Sequence, residues 1–170
     1  MSTQVRSDDA TRASDGTAVP FRLEVVVIPI EDFDRAKDFY AGRLQWRVDA
    51  EADSGTGYRL MQVTPPGSSA SVIFGTQVTA APPGSADGLL LVVDDIDVAR
   101  GALSARGVGV SEAFHDAGGT LGGGFHIGDA GRAAGPDPDR RSYATYASFN
   151  DSEGNRWVLQ EITERLPGRV

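Results

Sequence analysis

The chain contains one strand-and-helix pattern twice, and the second copy lies 63 positions after the first. Residues 26–40 and 89–103 align without a gap. In each copy an apolar run is followed by an Asp that can cap a helix, Asp32 or Asp95, and by a second Asp in the first turn, where the helix dipole favours negative charge. A repeated unit buries its apolar face against its neighbour, so we expect the two halves to pack against each other.

Turn residues and hydrophobic alternation further along the chain predict the same order of strands and helices, βαβββ, in both halves. In the first half we predict a strand, a helix and three more strands over residues 23–30, 33–44, 45–50, 58–64 and 69–75. In the second half the corresponding residues are 88–94, 96–106, 108–114, 142–149 and 156–162, with a turn at 151–155. The run at 23–30 is continuously apolar, which predicts a strand in the interior of a sheet.

These signals divide the chain into a tail at 1–20, a first module at 21–78, a linker at 79–87 and a second module at 88–164. The tail is polar and has no apolar run long enough for a signal peptide or a membrane span, so we expect a mobile tail on a cytoplasmic protein. An insertion at 114–141 has eight glycines. It is either a flap over a pocket or a surface insertion.

Composition narrows the possible partners. The net charge of −8 argues against nucleic acid and against an anionic membrane surface. The chain has no cysteine, so disulfides and thiolate chemistry are excluded and a metal site would need histidine and carboxylate ligands. The two histidines are His115 and His126, both in the insertion.

Three ordered motifs resemble one family. They are residues 30–40 (IEDFDRAKDFY), residues 93–97 (VDDID) and residues 149–155 (FNDSEGN), the last being similar to the family's Asp-Pro-Asp-Gly-Asn turn. The chain resembles the vicinal-oxygen-chelate superfamily, which includes glyoxalase I, bleomycin-resistance proteins and extradiol dioxygenases. The resemblance implies an α+β fold, in which two βαβββ modules form a curved mixed sheet around a cleft.

Many members of that superfamily bind a divalent metal, and the resemblance indicates where the ligands would lie. The corresponding positions here are Val25, Gly88, Val158 and, after the first hairpin, Ser71. None of these side chains is a good metal ligand. We therefore expect no metal and no cofactor, with a site built from His115, His126 and either Asp116 or Asp129 as the remaining alternative.

If these positions face a cleft, strand alternation brings further side chains to the same side. The expected lining is apolar at Val27 and Leu90, and its candidate ligand-binding residues are Tyr58, Gln62, Ser71, Tyr146, Ser148 and Gln160. Such a lining suits a mostly apolar organic molecule oriented by several hydrogen bonds. The glutamines could instead bond each other or the backbone. A register shifted by one residue would turn Glu24 and Glu161 inward.

Three functions remain open at this point. The first is a protein that binds a small organic molecule, as the resemblance to bleomycin-resistance proteins implies. The second is a metal-independent isomerase, lyase or cyclase for a secondary metabolite, with His115 or His126 as catalytic acid or base and a glutamine polarising a carbonyl. The third is an interaction module whose strands build a homodimer. Binding is favoured, because neither a metal set nor a catalytic pair is recognisable.

Overall fold

The computed structural model describes residues 19–118 and 128–166. The predicted tail up to residue 18 lies outside them. The first module has β1 (Val25–Val27), α1 (Phe33–Lys37), which continues as a π-helical segment (Asp38–Arg43), β2 (Arg47–Asp53), β3 (Arg59–Thr64) and β4 (Ser71–Thr76). The second has β5 (Leu89–Val93), α2 (Ile96–Ala105), β6 (Phe114–Asp116), β7 (Arg132–Ala134), β8 (Thr145–Asn150) and β9 (Arg156–Glu161). Among these residues no helix has the length and hydropathy of a membrane span.

The strands form two mixed sheets, which confirms the α+β class. Their orders are β1-β4-β3-β2 and β5-β9-β8-β6-β7. In each sheet the first strand of the module runs parallel to the last, β1 to β4 and β5 to β9, and the other pairs are antiparallel.

Two sequence-based predictions about strands were wrong. Strand β1 lies at the edge of its sheet rather than in the interior, and its apolar character is explained by packing of Val26 on the core. The insertion contributes strands to the fold, because its described parts supply β6 and β7, which pair with each other and extend the second sheet. The strand predicted at 108–114 is reduced to a single bridge at Val110 before β6 begins.

The repeat is present in three dimensions. Asp32 caps α1 by accepting from the backbone N–H of Arg35, and Asp95 caps α2 by accepting from those of Asp97 and Val98. The same 63-residue offset relates the core-facing residues of the edge strands, Val26 to Leu89, and both contact one hydrophobic core. The two modules therefore share a core, as the repeat predicts.

Aromatic side chains from both modules meet in that core. Tyr40 lies 6.2 Å from Trp157 between ring centroids, and Trp46 lies 5.3 Å from Trp157 at an interplanar angle of 88°. The Tyr40 hydroxyl donates to Asp151 Oδ2 at 2.6 Å and accepts from Trp157 Nε1 at 3.0 Å. Asn155 Nδ2 donates to the carbonyl of Pro29 at 2.9 Å, so the turn after β8 is bonded to the chain that leads into α1.

Candidate functional site

Each sheet has one face on the shared core and a second face turned away from it, here called the helix-free face. Across the first sheet the register aligns Val27, Ile73, Gln62 and Ala50 on this face. Across the second sheet it aligns Val92, Gln160, Tyr146 and Phe114, with Leu90, Val158 and Ser148 in the next row. Alternation therefore places Gln62, Tyr146, Ser148 and Gln160 on these faces, as the sequence predicts, while their role in binding stays a prediction.

Apolar side chains remain accessible on the helix-free faces. Val27 is 45% exposed, Leu90 37% and Val92 41%. Tyr58, just before β3, is 38% exposed, and Gln62 is half-buried. Leu90 and Val92 are neighbours on one face of β5, and contiguous exposed apolar side chains mark surfaces that contact a ligand or a partner.

The alternative register, with Glu24 and Glu161 turned inward, is not the one observed. Glu161 pairs with Val93 on the core side, where its carboxylate accepts from the backbone N–H of Ile96 at 2.9 Å. Glu24 precedes β1 and is exposed. Neither carboxylate belongs to the helix-free faces.

The side chains at the positions that correspond to the metal ligands of the vicinal-oxygen-chelate superfamily are not suited to bind a metal. Val25 pairs with Ser71, while Val158 pairs with Leu90. Because the repeat relates Leu90 to Val27, which pairs with Ile73, the first-module counterpart of Val158 is Ile73 and the assignment of Ser71 to that role was wrong. Either choice leaves side chains that are poor metal ligands where ligands would be needed. Within residues 19–118 and 128–166 no group of three or more His, Asp or Glu is placed to hold a metal.

Ser71 instead belongs to a polar group that the sequence did not reveal. Strand β2 has a bulge between Val48 and Ala50, and the extra residue, Asp49, turns its carboxylate towards the hydroxyl of Thr64. Bulges redirect single side chains in this way, and sequence periodicity does not mark them. Hydrogen bonds from Thr64 and Arg47 keep the pKa of Asp49 below its ordinary value.

The hydrogen bonds among Ser71, Thr64 and Asp49 run in one direction, from Ser71 to Thr64 and from Thr64 to Asp49. Thr64 has a single hydroxyl proton, which it donates to Asp49, so the 2.7 Å contact between Thr64 and Ser71 requires Ser71 to donate. The lone pairs of the Ser71 oxygen then remain as acceptors. Ser71 is 7% exposed, so the position of this acceptor is fixed by packing.

On the second sheet the polar side chains are held by the protein itself. The amide nitrogen of Gln160 donates to the carbonyl of Tyr143 at 2.9 Å and to the hydroxyl of Tyr146 at 3.1 Å. Tyr146 is fully buried and its ring stacks on Phe114 at 5.8 Å between centroids. For Gln160 the sequence-based alternative of a backbone partner is therefore the one observed, and its carbonyl oxygen is the group left to accept a bond.

Of the two candidate catalytic histidines, His115, the one that the structure describes, does not lie on this face. His115 alternates with Phe114 and therefore points to the opposite face, where its Nδ1 lies 2.8 Å from the carbonyl of Gly135. Beside it the hydrogen bond from Arg141 lowers the pKa of Asp137 to about 2. His126 lies outside the described residues. A catalytic role for either histidine stays a prediction.

Comparison with known proteins identifies the family. The family model of the glyoxalase/bleomycin resistance protein/dioxygenase superfamily matches residues 22–159. The chain belongs to this superfamily. The match spans both modules, so it covers the repeat, the two helices and the turn after β8. No curated protein matches the chain in sequence.

Solved structures of the superfamily resemble this chain over most of its length. An antibiotic-binding protein, TnmS3 from Streptomyces sp. CB03234, is 27% identical with a TM-score of 0.61, covering 85% of this chain and 98% of that one. A glyoxalase/bleomycin resistance protein from the same strain is 28% identical with a TM-score of 0.58, covering 82% and 100%. A superfamily member from Sphaerobacter thermophilus DSM 20745, at 22% identity and a TM-score of 0.58 over 84% and 98%, shares the fold.

Proposed function

We propose that this superfamily member binds a small, largely apolar organic molecule on the helix-free faces of its sheets. The observation that carries the proposal is the exposure of Val27, Leu90 and Val92 on those faces, each between 37% and 45%. Leaving such side chains in water forgoes about 25 cal/mol per Å² of apolar surface, which an apolar ligand would recover. The similarity to an antibiotic-binding protein supports the same function.

Specificity would come from a few fixed acceptors beside this apolar surface. The oxygen of Ser71 is held by Thr64, and the carbonyl of Gln160 is held by the two bonds of its amide nitrogen. Both groups accept hydrogen bonds, so they suit ligand hydroxyl, phenol or N–H groups. Gln62, Tyr58 and Ser148 remain candidate contacts on the same faces, whereas Tyr146 is fully buried and would act by holding Gln160.

A second copy of the chain is the partner that we propose for the helix-free faces. The exposed residues lie on both sheets, and a homodimer would bury them and enclose a ligand between the copies. Light scattering after size-exclusion chromatography measures this directly. A monomer that still binds ligand would contradict the dimer and leave the binding function standing.

The binding function is tested by native mass spectrometry of the purified protein and by titration with planar aromatic natural products. We expect a co-purified organic mass or a ligand with micromolar affinity. V27R places a charge on the helix-free face and should weaken binding about tenfold or more, since 1.4 kcal/mol corresponds to a factor of ten. V98R is the matched control, because Val98 is 69% exposed on α2 and outside this face. Equal loss in both variants, or no binding by the wild type, would contradict the proposal.

A further inference from the structure

A cavity of about 700 Å³ lies where the first module meets the free edge of β5. One wall is the β3–β4 turn (residues 65–69), and another is formed by Ala102 and Leu103 of α2 together with Arg106, which directly follows the helix. Its apolar lining includes Leu44, Trp46, Leu91 and Phe149. None of the ligand-binding residues expected from the sequence lines this junction cavity.

Unusual backbone geometry builds one wall of the junction cavity. The π-helical segment ends with the N–H of Leu44 donating to the carbonyl of Phe39, and Gln45 then adopts a left-handed conformation with φ of 56°. Leu44 and Trp46, on either side of Gln45, both line the cavity. π-Helical turns are rare and frequently lie at functional sites, and a left-handed residue other than glycine costs conformational energy.

The junction cavity is lined by arginines that have no carboxylate partner among the described residues, whereas most of the other described basic side chains form ion pairs. Among the described Lys and Arg side chains, three form no ion pair with a carboxylate: Arg22, Arg106 and Arg165. Two of them, Arg106 and Arg165, line the cavity, together with one carboxylate, Asp94. In a chain with a net charge of −8, the cavity is therefore locally positive.

Arg106 is held in place while its charge stays available. Its Nη1 donates to the carbonyl of Leu44 at 3.3 Å, which links α2 to the cavity wall of the first module. A guanidinium has five N–H donors, so further donors remain to form a paired hydrogen bond with a carboxylate. The apolar lining and this cation together suit a molecule with an aromatic body and an acidic group.

We propose that the junction cavity binds an aromatic carboxylate, with Arg106 bonding the carboxylate and Trp46 and Leu103 contacting the ring system. This site is separate from the helix-free faces, although Leu90 and Val92 border both. The inference rests on the proposed function only in that the protein binds organic molecules.

The test uses 2-naphthoate and its neutral analogue 2-naphthamide, measured by isothermal titration and by quenching of tryptophan fluorescence. We expect naphthoate to bind the wild type at least tenfold more tightly than naphthamide, because the carboxylate gains a paired, charge-assisted hydrogen bond to Arg106 that the neutral amide cannot form. R106Q should lower naphthoate affinity about tenfold and leave naphthamide affinity unchanged. R43Q is the matched control, since Arg43 is 51% exposed and pairs with Asp38 at 3.4 Å.

A second variant separates this site from the helix-free faces. Ala102 is exposed on α2, so A102F should fold normally while its ring occupies the part of the junction cavity beside Leu103 and Arg106. We expect A102F to abolish naphthoate binding and V27R to preserve it. Equal affinities for the acid and the amide, insensitivity to R106Q, or loss through V27R alone would overturn the inference. A natural-product ligand that V27R weakens and A102F does not would leave the proposed function intact in each case.

Discussion

Glu153 and Arg35 form a bidentate ion pair between the two modules. Nε of Arg35 lies 2.7 Å from Oε1 of Glu153, and Nη2 lies 2.9 Å from Oε2. Oε2 also accepts from the backbone N–H groups of Glu31 and Asp32, at 2.9 and 3.1 Å, where α1 begins. The Glu153 side chain is fully buried, whereas that of Arg35 is 48% exposed. A residue in a turn of the second module therefore accepts hydrogen bonds from the backbone N–H groups at the start of the first helix.

Replacing Glu153 by Gln should destabilise the protein. The amide keeps the shape of the carboxylate, but it accepts through one oxygen and leaves Arg35 without its charged partner. Because a hydrogen bond to a charged group is lost, we expect the free energy of unfolding to fall by about 2 kcal/mol. Urea denaturation of E153Q measures the loss in free energy of unfolding. E112Q is the control, because Glu112 pairs with Arg100 while its own side chain is 91% exposed, and such pairs contribute about 0–1 kcal/mol. Equal effects in the two variants would contradict the assigned role.

Stability should fall in acid, in part through Glu153. Burial opposes ionisation of this carboxylate, but hydrogen bonds from Arg35, Asp32, Glu31 and Ser152 outweigh it and lower the pKa from 4.5 to about 2. A depressed pKa contributes stability above the ordinary value, and that contribution is lost as the pH falls from about 4.5 towards 2.

The free energy of unfolding measured between about pH 7 and pH 3 checks this prediction. E153Q should show a shallower acid dependence than the wild type, because the substituted amide does not titrate in this range. Parallel curves for the two proteins would show that other carboxylates carry the effect.

Removal of the Tyr40 hydroxyl should also be costly. Tyr40 is fully buried, and its burial and the neighbouring Asp151 carboxylate raise its pKa, so the hydroxyl stays protonated and donates. Y40F leaves Asp151 and the Trp157 N–H each short of one partner, for a cost of about 1–3 kcal/mol. Thermal unfolding should show the loss, and Y58F, at an exposed tyrosine, should be close to neutral. A neutral Y40F would contradict the buried network.

Two glycines should respond to alanine in opposite directions. A Cβ on Gly75 would lie 2.1 Å from the backbone oxygen of Arg59, so G75A must distort the β3–β4 pair and should cost more than about 2 kcal/mol. Gly101 lies within α2 with open space around it, so G101A should stabilise by about 0.5–1 kcal/mol. Urea midpoints of the two variants measure both changes, and a stable G75A would contradict the close approach.

Local patterns in the sequence predicted much of the fold. The capping residues Asp32 and Asp95, the hairpin turn at 65–68 and the turn at 151–155 act within a few residues, so the chain itself specifies them. The repeat predicted the shared core, because two similar amphipathic patterns are buried most simply against each other. Alternation also placed Gln62 and Gln160 on the helix-free faces, since side-chain direction in a strand has a period of two.

Other features depended on contacts that no local pattern encodes. The bulge that turns Asp49 to Thr64 requires two strands to be paired, and the ion pair of Glu153 with Arg35 requires the two modules to be packed together. The left-handed conformation of Gln45 is likewise not marked by the sequence around it. The edge position of β1 likewise follows from how the strands pair, not from its apolar composition. The sequence determined the two modules and the faces of their strands, because those follow from short-range periodicity. Only the tertiary structure decided the junction cavity and the unpaired charge of Arg106 beside it, because both arise where segments distant in sequence pack together.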